Sequence, residues 1–300
     1  MPTLNFQPAT PQSCAPLLKR EGLIYPRGCD TSIINLCCWQ HTYRTAIAGY
    51  NGNYAARFLL DDHYTYSLRF RPQDLPALVE MVKADAAQHG DPLVIMGVNE
   101  EMLPYYLQTF PKRFTAEYSD DSSDYVYDRT SLATLAGHKL QSKRNFLNRF
   151  KRTYPNYEYH ALTRQDILAC LALDKTWINK GLTLGHTQEE QDERVAIHYV
   201  FDHWEELQAL GGVIYVDGQL VAFTYGAPID DSRFDVCVEK ADSNYVGAYA
   251  AINNEFVNHL PENFALINRE EDLGIKGLRQ AKQTYQPLIW LRKYTLTENV

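Results

Sequence analysis

The sequence predicts an α/β protein, α+β in its strand pairing, built as two units with mixed and mostly antiparallel sheets. Apolar runs of strand length and segments of helical period succeed one another in two similar rounds, one before about residue 128 and one after it. The pairs Asn51-Gly52 and Asp217-Gly218 each join two apolar runs, as tight hairpin turns do. At 300 residues, with 45% hydrophobic and 22% charged side chains, the chain can bury a core in each unit.

Residues 1–22 are rich in Pro, Gln, Ser and Thr and read as an extended N-terminal arm with room for a short helix at its end. The first unit is expected over 23–128. Ile33, Ile34, Leu36 and Cys37 crowd before Trp39 and predict a short helix or turn under a sheet. Residues 43–49, 54–60 and 64–70 then read as an antiparallel meander. Leu75, Leu78, Val79, Val82 and Ala86 share one helical face over 72–89, and Gly90 stands just past its end. A buried strand at 93–98, a helix capped by Asn99, and strands at 114–118 and 125–127 finish the unit.

The second unit, 129–300, opens on a basic helix. Lys139, Lys143, Arg144, Arg149, Lys151 and Arg152 lie where Leu140, Leu147, Phe150 and Tyr154 recur at roughly helical spacing, and Pro155 ends the run. In a protein of formal net charge −8 this is a local basic patch, suited to a phosphate backbone, although a solvated helix face has the same composition. Then come a strand at 157–161, helices at 163–179 and 189–210, strands at 213–216, 220–226 and 233–239, a helix at 245–260 and a strand at 264–268.

Charge, glycine and periodicity change together over 268–294, NREEDLGIKGLRQAKQTYQPLIWLRKY. Glu270, Glu271 and Asp272 stand at a strand's C-terminal end, and Gly274 and Gly277 flank the start of a helix carrying Arg279 and Lys282. Pro287 stops the helix, and 288–294 reads as one more strand. Ligands of open sheets bind at such strand ends, where an acid can hold an amine or take its proton. A solvated acidic turn in front of a helix dipole would look alike.

The order helix, helix, three strands, helix, strand, helix, strand resembles the GNAT acyltransferase fold, and the first unit resembles a partial copy of it. Two such domains in tandem are the architecture of the Fem peptidyl-aminoacyl transferases and of the C-terminal catalytic part of phosphatidylglycerol lysyltransferase. The chain resembles the soluble relatives of that part, through Asp124 to Asp128 (DYVYD), Lys143 to Phe150 (KRNFLNRF), Glu239 to Ala241 (EKA) and Asn268 to Lys282. The resemblance implies transfer of an aminoacyl group from aminoacyl-tRNA to an amine or hydroxyl on a small molecule or lipid head group, with tRNA as partner on the basic helix and no cofactor required. Glu239, Glu271 and Asp272 are then the expected proton acceptors, with Asn268, Arg269, Arg279, Lys282 and Tyr249 binding substrate.

Two alternatives stay open. Acyl-CoA enzymes of this superfamily hold pyrophosphate on a Q/R-x-x-G-x-G/A turn, whereas the matching Asn244 to Tyr249 reads NYVGAY, with one glycine and no leading Arg or Gln. A non-catalytic ligand-binding protein on the same fold is the other.

The remaining composition excludes more than it suggests. Six cysteines without a C-x-x-C pair argue against a zinc site or disulfide scaffold, and no metal is expected. His198 and His203 lie five apart, off a common helix face, and His203 reads as a core residue. No apolar stretch is long enough to span a bilayer and residues 1–22 lack the basic segment followed by an apolar core of an export signal, so a cytoplasmic protein is expected. Walker, Rossmann and G-x-S-x-G signatures do not occur.

Overall fold

Thr10 and Ser13 satisfy each other's backbone amides in a capping box and start a short helix within the N-terminal arm. The first 22 residues therefore fold onto the first unit: β1 (Gln7–Pro8) pairs with a sheet strand, and Ala9, Cys14 and Leu17 are buried about α1 (Pro11–Cys14). In this computed structural model the structure describes residues 3–182 and 187–299. The chain divides into two units, Met1–Asp124 with Leu291–Val300, and Tyr125–Trp290.

In the first unit α2 (Ile33–Cys38) and α3 (Gln40–Tyr43) precede the meander β2 (Ala46–Tyr50), β3 (Asn53–Leu60) and β4 (His63–Arg69). Next come α4 (Leu75–His89), closed by a left-handed Gly90, then β5 (Val94–Val98), α5 (Leu103–Thr109) and β6 (Phe114–Tyr118). Leu75, Leu78, Val79 and Val82 of α4 form the core with Leu68, Phe70 and Ile95 of the sheet. The strand expected over 288–294 is two strands. Ile289–Leu291 joins the second sheet, and Tyr294–Glu298, whose Leu296 is buried, runs antiparallel between β5 and β6. Alternation in Tyr-Thr-Leu-Thr-Glu is the physical reason, since every second side chain meets the core.

The second unit runs β7 (Asp124–Asp128), α6 (Arg129–Thr134), α7 (Gln141–Thr153), β8 (Glu158–Ala161), α8 (Ile167–Leu182), α9 (Thr187–Asp202), β9 (Leu210–Val216), β10 (Gln219–Pro228), β11 (Arg233–Ala241), α10 (Ala248–His259), β12 (Leu266–Asn268), α11 (Lys276–Gln283) and β13 (Ile289–Leu291), leaving β14 for Tyr294–Glu298. Its sheet has the order β13-β7-β12-β11-β10-β9-β8, and β11 and β12 are parallel. Successive β11 side chains go to opposite faces: Glu239 meets Asn253 of α10, and Lys240 meets Asp174 of α8 and Glu193 of α9. Phe150, Val221, Phe234, Val236, Ile252 and Phe256 fill the core on the α10 face. No helix of the described residues is long and apolar enough to cross a membrane.

Candidate functional site

Two irregularities in β11 open the site. Its parallel pairing with β12 covers only Arg233, Phe234 and Asp235, after which the two strands part. A bulge then shifts the β10 partners from Val236 to Val238, with Cys237 as the extra residue, and so re-aims the residues that follow. The bulge needs Gly226, because a Cβ there would stand 1.7 Å from the Asp235 carbonyl oxygen. Glu239 comes just after the bulge, and Arg269 comes just after β12.

These two residues, 30 apart in sequence, form an ion pair at 2.8 Å (Nη2 to Oε1), and Asn253 Nδ2 donates to the other Glu239 oxygen at 2.9 Å. The Arg269 guanidinium lies over the rings of Tyr285 (4.7 Å) and Tyr127 (5.6 Å). Lys143, from α7, puts its Nζ 4.3 Å from the centre of the same Tyr285 ring. Burial first, then Arg269, pulls the Lys143 ammonium below the ordinary lysine range, with Glu239 working in the opposite sense. Burial also opposes the charge on Arg269, but Glu239 together with Tyr127 and Tyr285 outweighs it and the guanidinium stays ionised. Arg269 Nη1 and Asn253 Oδ1 are buried without a hydrogen-bond partner among the described residues. The cluster thus holds two cations against one carboxylate, with one donor and one acceptor unsatisfied.

A second cluster follows on the loop after β12. Asp272 is buried and accepts four hydrogen bonds: Arg279 Nε (2.7 Å) and Nη2 (2.8 Å), the Tyr125 hydroxyl (2.6 Å) and the Gly274 amide (2.9 Å). Arg279, and after it the Tyr125 and Gly274 bonds, holds the Asp272 carboxyl down to about 2 against burial. Burial and then Asp272 push Tyr125 up to about 12. Lys282 is buried and donates to the Glu271 backbone carbonyl, and Tyr127 hydroxyl donates to the Lys282 carbonyl at 2.8 Å, tying α11 to β7. Glu271 is half-buried, and Asn268, fully buried, accepts the Glu270 amide.

The six cations of the basic segment separate. Lys143 turns inward to the site. Arg144 donates to the Leu135 and Gly137 carbonyls at the end of α6, and Lys151 pairs with Glu255 at 3.0 Å. Lys139, Arg149 and Arg152 are exposed and pair with no acid among the described residues. Tyr249, on the first turn of α10, is 39% exposed. His203, expected in the core, is instead a surface residue paired with Glu206 at 2.6 Å. Asp235, Cys237 and Glu270 bring one ligating atom each within 4.8 Å of one another, a set that could hold a cation.

Asn253, Tyr127 and Tyr285 were not among the expected site residues. Asn253 carried a signal, since it directly follows the apolar run Ala250-Ala251-Ile252, and an amide on that helix must find polar partners when the helix packs.

The glycine of the turn before α10 is packed against α7. Gly247 has φ +93°, and a Cβ on it would lie 2.5 Å from the Phe146 carbonyl oxygen and 3.0 Å from Phe150 Cβ. Its small size admits the backbone of α7.

Comparison with known proteins follows this geometry. The family model described as phosphatidylglycerol lysyltransferase, C-terminal, matches residues 22–297. A conserved protein of unknown function from Bacteroides thetaiotaomicron is 37% identical, with a TM-score of 0.92 over 99% of this chain and 100% of that one. The structure of L-PGS from Bacillus licheniformis aligns at TM-score 0.68 and 15% identity, over 97% of this chain and 92% of that one. A tandem GNAT protein from the clavulanic acid biosynthesis pathway aligns at 0.52 and 11%, over 98% of each. Both share the two-unit GNAT-like fold. An uncharacterized protein of Mycoplasmoides gallisepticum is 27% identical over 177 residues, 58% of this chain, and the match spans only 56% of that relative.

Proposed function

Because the chain belongs to the family of phosphatidylglycerol lysyltransferase C-terminal domains, we propose that its second unit takes an aminoacyl group from aminoacyl-tRNA and passes it to an amine or hydroxyl acceptor, on a small molecule or a lipid head group. The observation that carries the choice of donor is the packing of Gly247 against α7. Acyl-CoA enzymes of this fold bring pyrophosphate against that turn, and here the backbone of α7 fills the space beside its glycine.

In this reading the acceptor nitrogen or oxygen attacks the ester carbonyl carbon, the bond to the ribose oxygen breaks, and that oxygen leaves with a proton. Developing negative charge on the carbonyl oxygen needs a fixed donor, which the unsatisfied Arg269 Nη1 supplies. Glu239 and Asn253 fix the guanidinium: both Glu239 oxygens already accept hydrogen bonds, which suits an orienting carboxylate better than a base. Lys143, with its lowered affinity for a proton, suits proton transfer from the acceptor to the leaving ribose. Asp272, held at about 2, keeps Arg279 and the loop in place. The reaction belongs to the cytoplasm, where charged tRNA is made.

The test is single-turnover transfer from tRNA carrying a radiolabelled amino acid to a panel of amine and hydroxyl acceptors, beside acetyl-CoA as rival donor. Label should move from tRNA to acceptor, and Arg269→Lys should slow it by about 10²-fold or more, the scale of a lost oxyanion donor. CoA release without tRNA turnover would refute the reading.

A further inference from the structure

Phe146, Phe150 and Tyr154 recur every four residues and make one ridge of α7. Phe150 is buried, and Tyr154 is half-buried with its ring 5.3 Å from Tyr245 of the turn before α10. Phe146 breaks the trend at 46% exposed, with no aromatic ring against it among the described residues. Its backbone carbonyl meets Gly247, and on that side of the contact Val246 and Tyr249 are 37% and 39% exposed. Large side chains left this exposed on two turns that touch mark a candidate ligand surface.

The charges around it select one. Arg149 is one turn along from Phe146, Arg152 one turn further, and Lys139 precedes the helix, all exposed and unpaired among the described residues. Of the nearby acids, Glu255 is neutralised by Lys151 and by a hydrogen bond from Tyr157, and Asp242 accepts the Asn244 amide. Cations interleaved with open rings fit an unpaired nucleic-acid strand, whose phosphates take the cations and whose bases stack. A duplex hides its base faces from such rings. A bilayer is a poorer fit, because inserting this face would also bury the neighbouring exposed amide of Asn145.

We propose that Phe146 and Tyr249 are a stacking platform for the unpaired 3′ bases of the RNA, with Arg149, Arg152 and Lys139 on its phosphates. This rests on the aminoacyl-tRNA reading of the site and specifies which part of the RNA is held. Lys143 precedes Phe146 by three residues, a rise of about 4.5 Å along the helix, so a base on Phe146 lies one turn from the reactive cluster. The 3′ terminal ribose is where the aminoacyl ester is carried.

The probes are a labelled acceptor-stem RNA hairpin with a four-nucleotide single-stranded 3′ end and its blunt counterpart, titrated by fluorescence anisotropy. Wild type should prefer the overhang by roughly tenfold or more, and Phe146→Ala and Tyr249→Ala should each weaken the overhang probe by roughly fivefold to thirtyfold while leaving the blunt probe and the melting temperature unchanged. Arg149→Ala should weaken both probes alike and flatten the salt dependence. Loss of overhang preference in both ring variants supports the platform whether or not transfer is detected. Ring-insensitive binding by a protein that transfers amino acid overturns the platform and leaves the proposed function standing; absence of both RNA binding and transfer overturns both. Retention on phosphatidylglycerol vesicles that Phe146→Ala abolishes, with overhang preference intact, would make the patch a lipid contact and also overturn it.

Discussion

Replacing Asp272 by Asn separates a structural ion network from a solvated turn. The carboxyl is fully buried and held at about 2 against an ordinary 3.8, a difference that corresponds to roughly 2 kcal/mol of stability at neutral pH. The amide keeps the shape but turns one oxygen into a donor, facing either Arg279 Nη2 and the Gly274 amide or Arg279 Nε and the Tyr125 hydroxyl. A mispaired donor adds about 1 kcal/mol or more. Arg279 is about one-third exposed, so water offsets part of the loss at its end. The sum is about 3 kcal/mol, or roughly 6–12 °C in the melting of a unit of this size. Because the folded carboxyl is depressed, its contribution is complete above the unfolded value and is lost as pH falls towards about 2. Thermal melts at pH 7 should show the full gap between wild type and Asp272→Asn, and melts between about pH 4 and 2 should show it closing. A gap under about 1 °C at pH 7 would refute the network, since exposed pairs contribute only about 0–1 kcal/mol.

Four further variants follow from the geometry. Gly247→Ala meets both a left-handed φ and the Phe146 carbonyl, so denaturant titration should show a loss of about 2–4 kcal/mol as α7 is pushed off α10. Lys240→Met leaves the buried Asp174 carboxylate without its cation, and unfolding should become easier by roughly 3–5 kcal/mol, far more than the change in apolar volume alone. Arg144→Ala and Arg149→Ala should part company: the first uncovers the carbonyls at the end of α6 and lowers stability by about 1–3 kcal/mol with RNA binding intact, the second does the reverse. Equal effects of the two on melting would contradict the division of the basic helix into inner and outer cations.

The acidic strand end was legible because a sheet strand that stops in three acids and a glycine leaves a mark in any sequence, and Asp272 with Arg279 lies within one loop and one turn of helix. The pairing of Glu239 with Arg269 was not. It depends on how far β11 and β12 run together and on a bulge at Cys237, and neither register nor bulge is visible in composition. Lys143 stands four residues before the buried Leu147, so its inward aim was present in the helical phase, but the run of positive charge masked it. The first 22 residues were legible only in part because Pro, Ser and Thr punctuate loops and also start helices, and the reciprocal Thr10 and Ser13 bonds are what fix where the short helix begins.

The place of β14 bears on how the chain is made. Its five residues leave the ribosome after the whole of the second unit, yet they lie between β5 and β6, so among the described residues β6 joins its sheet through them. During synthesis the whole of the second unit is available first, in one uninterrupted stretch, while β5 of the earlier unit waits with an open edge. A truncation that removes only residues 294–298 therefore takes out an interior strand, and the damage falls on the half of the protein that was translated first.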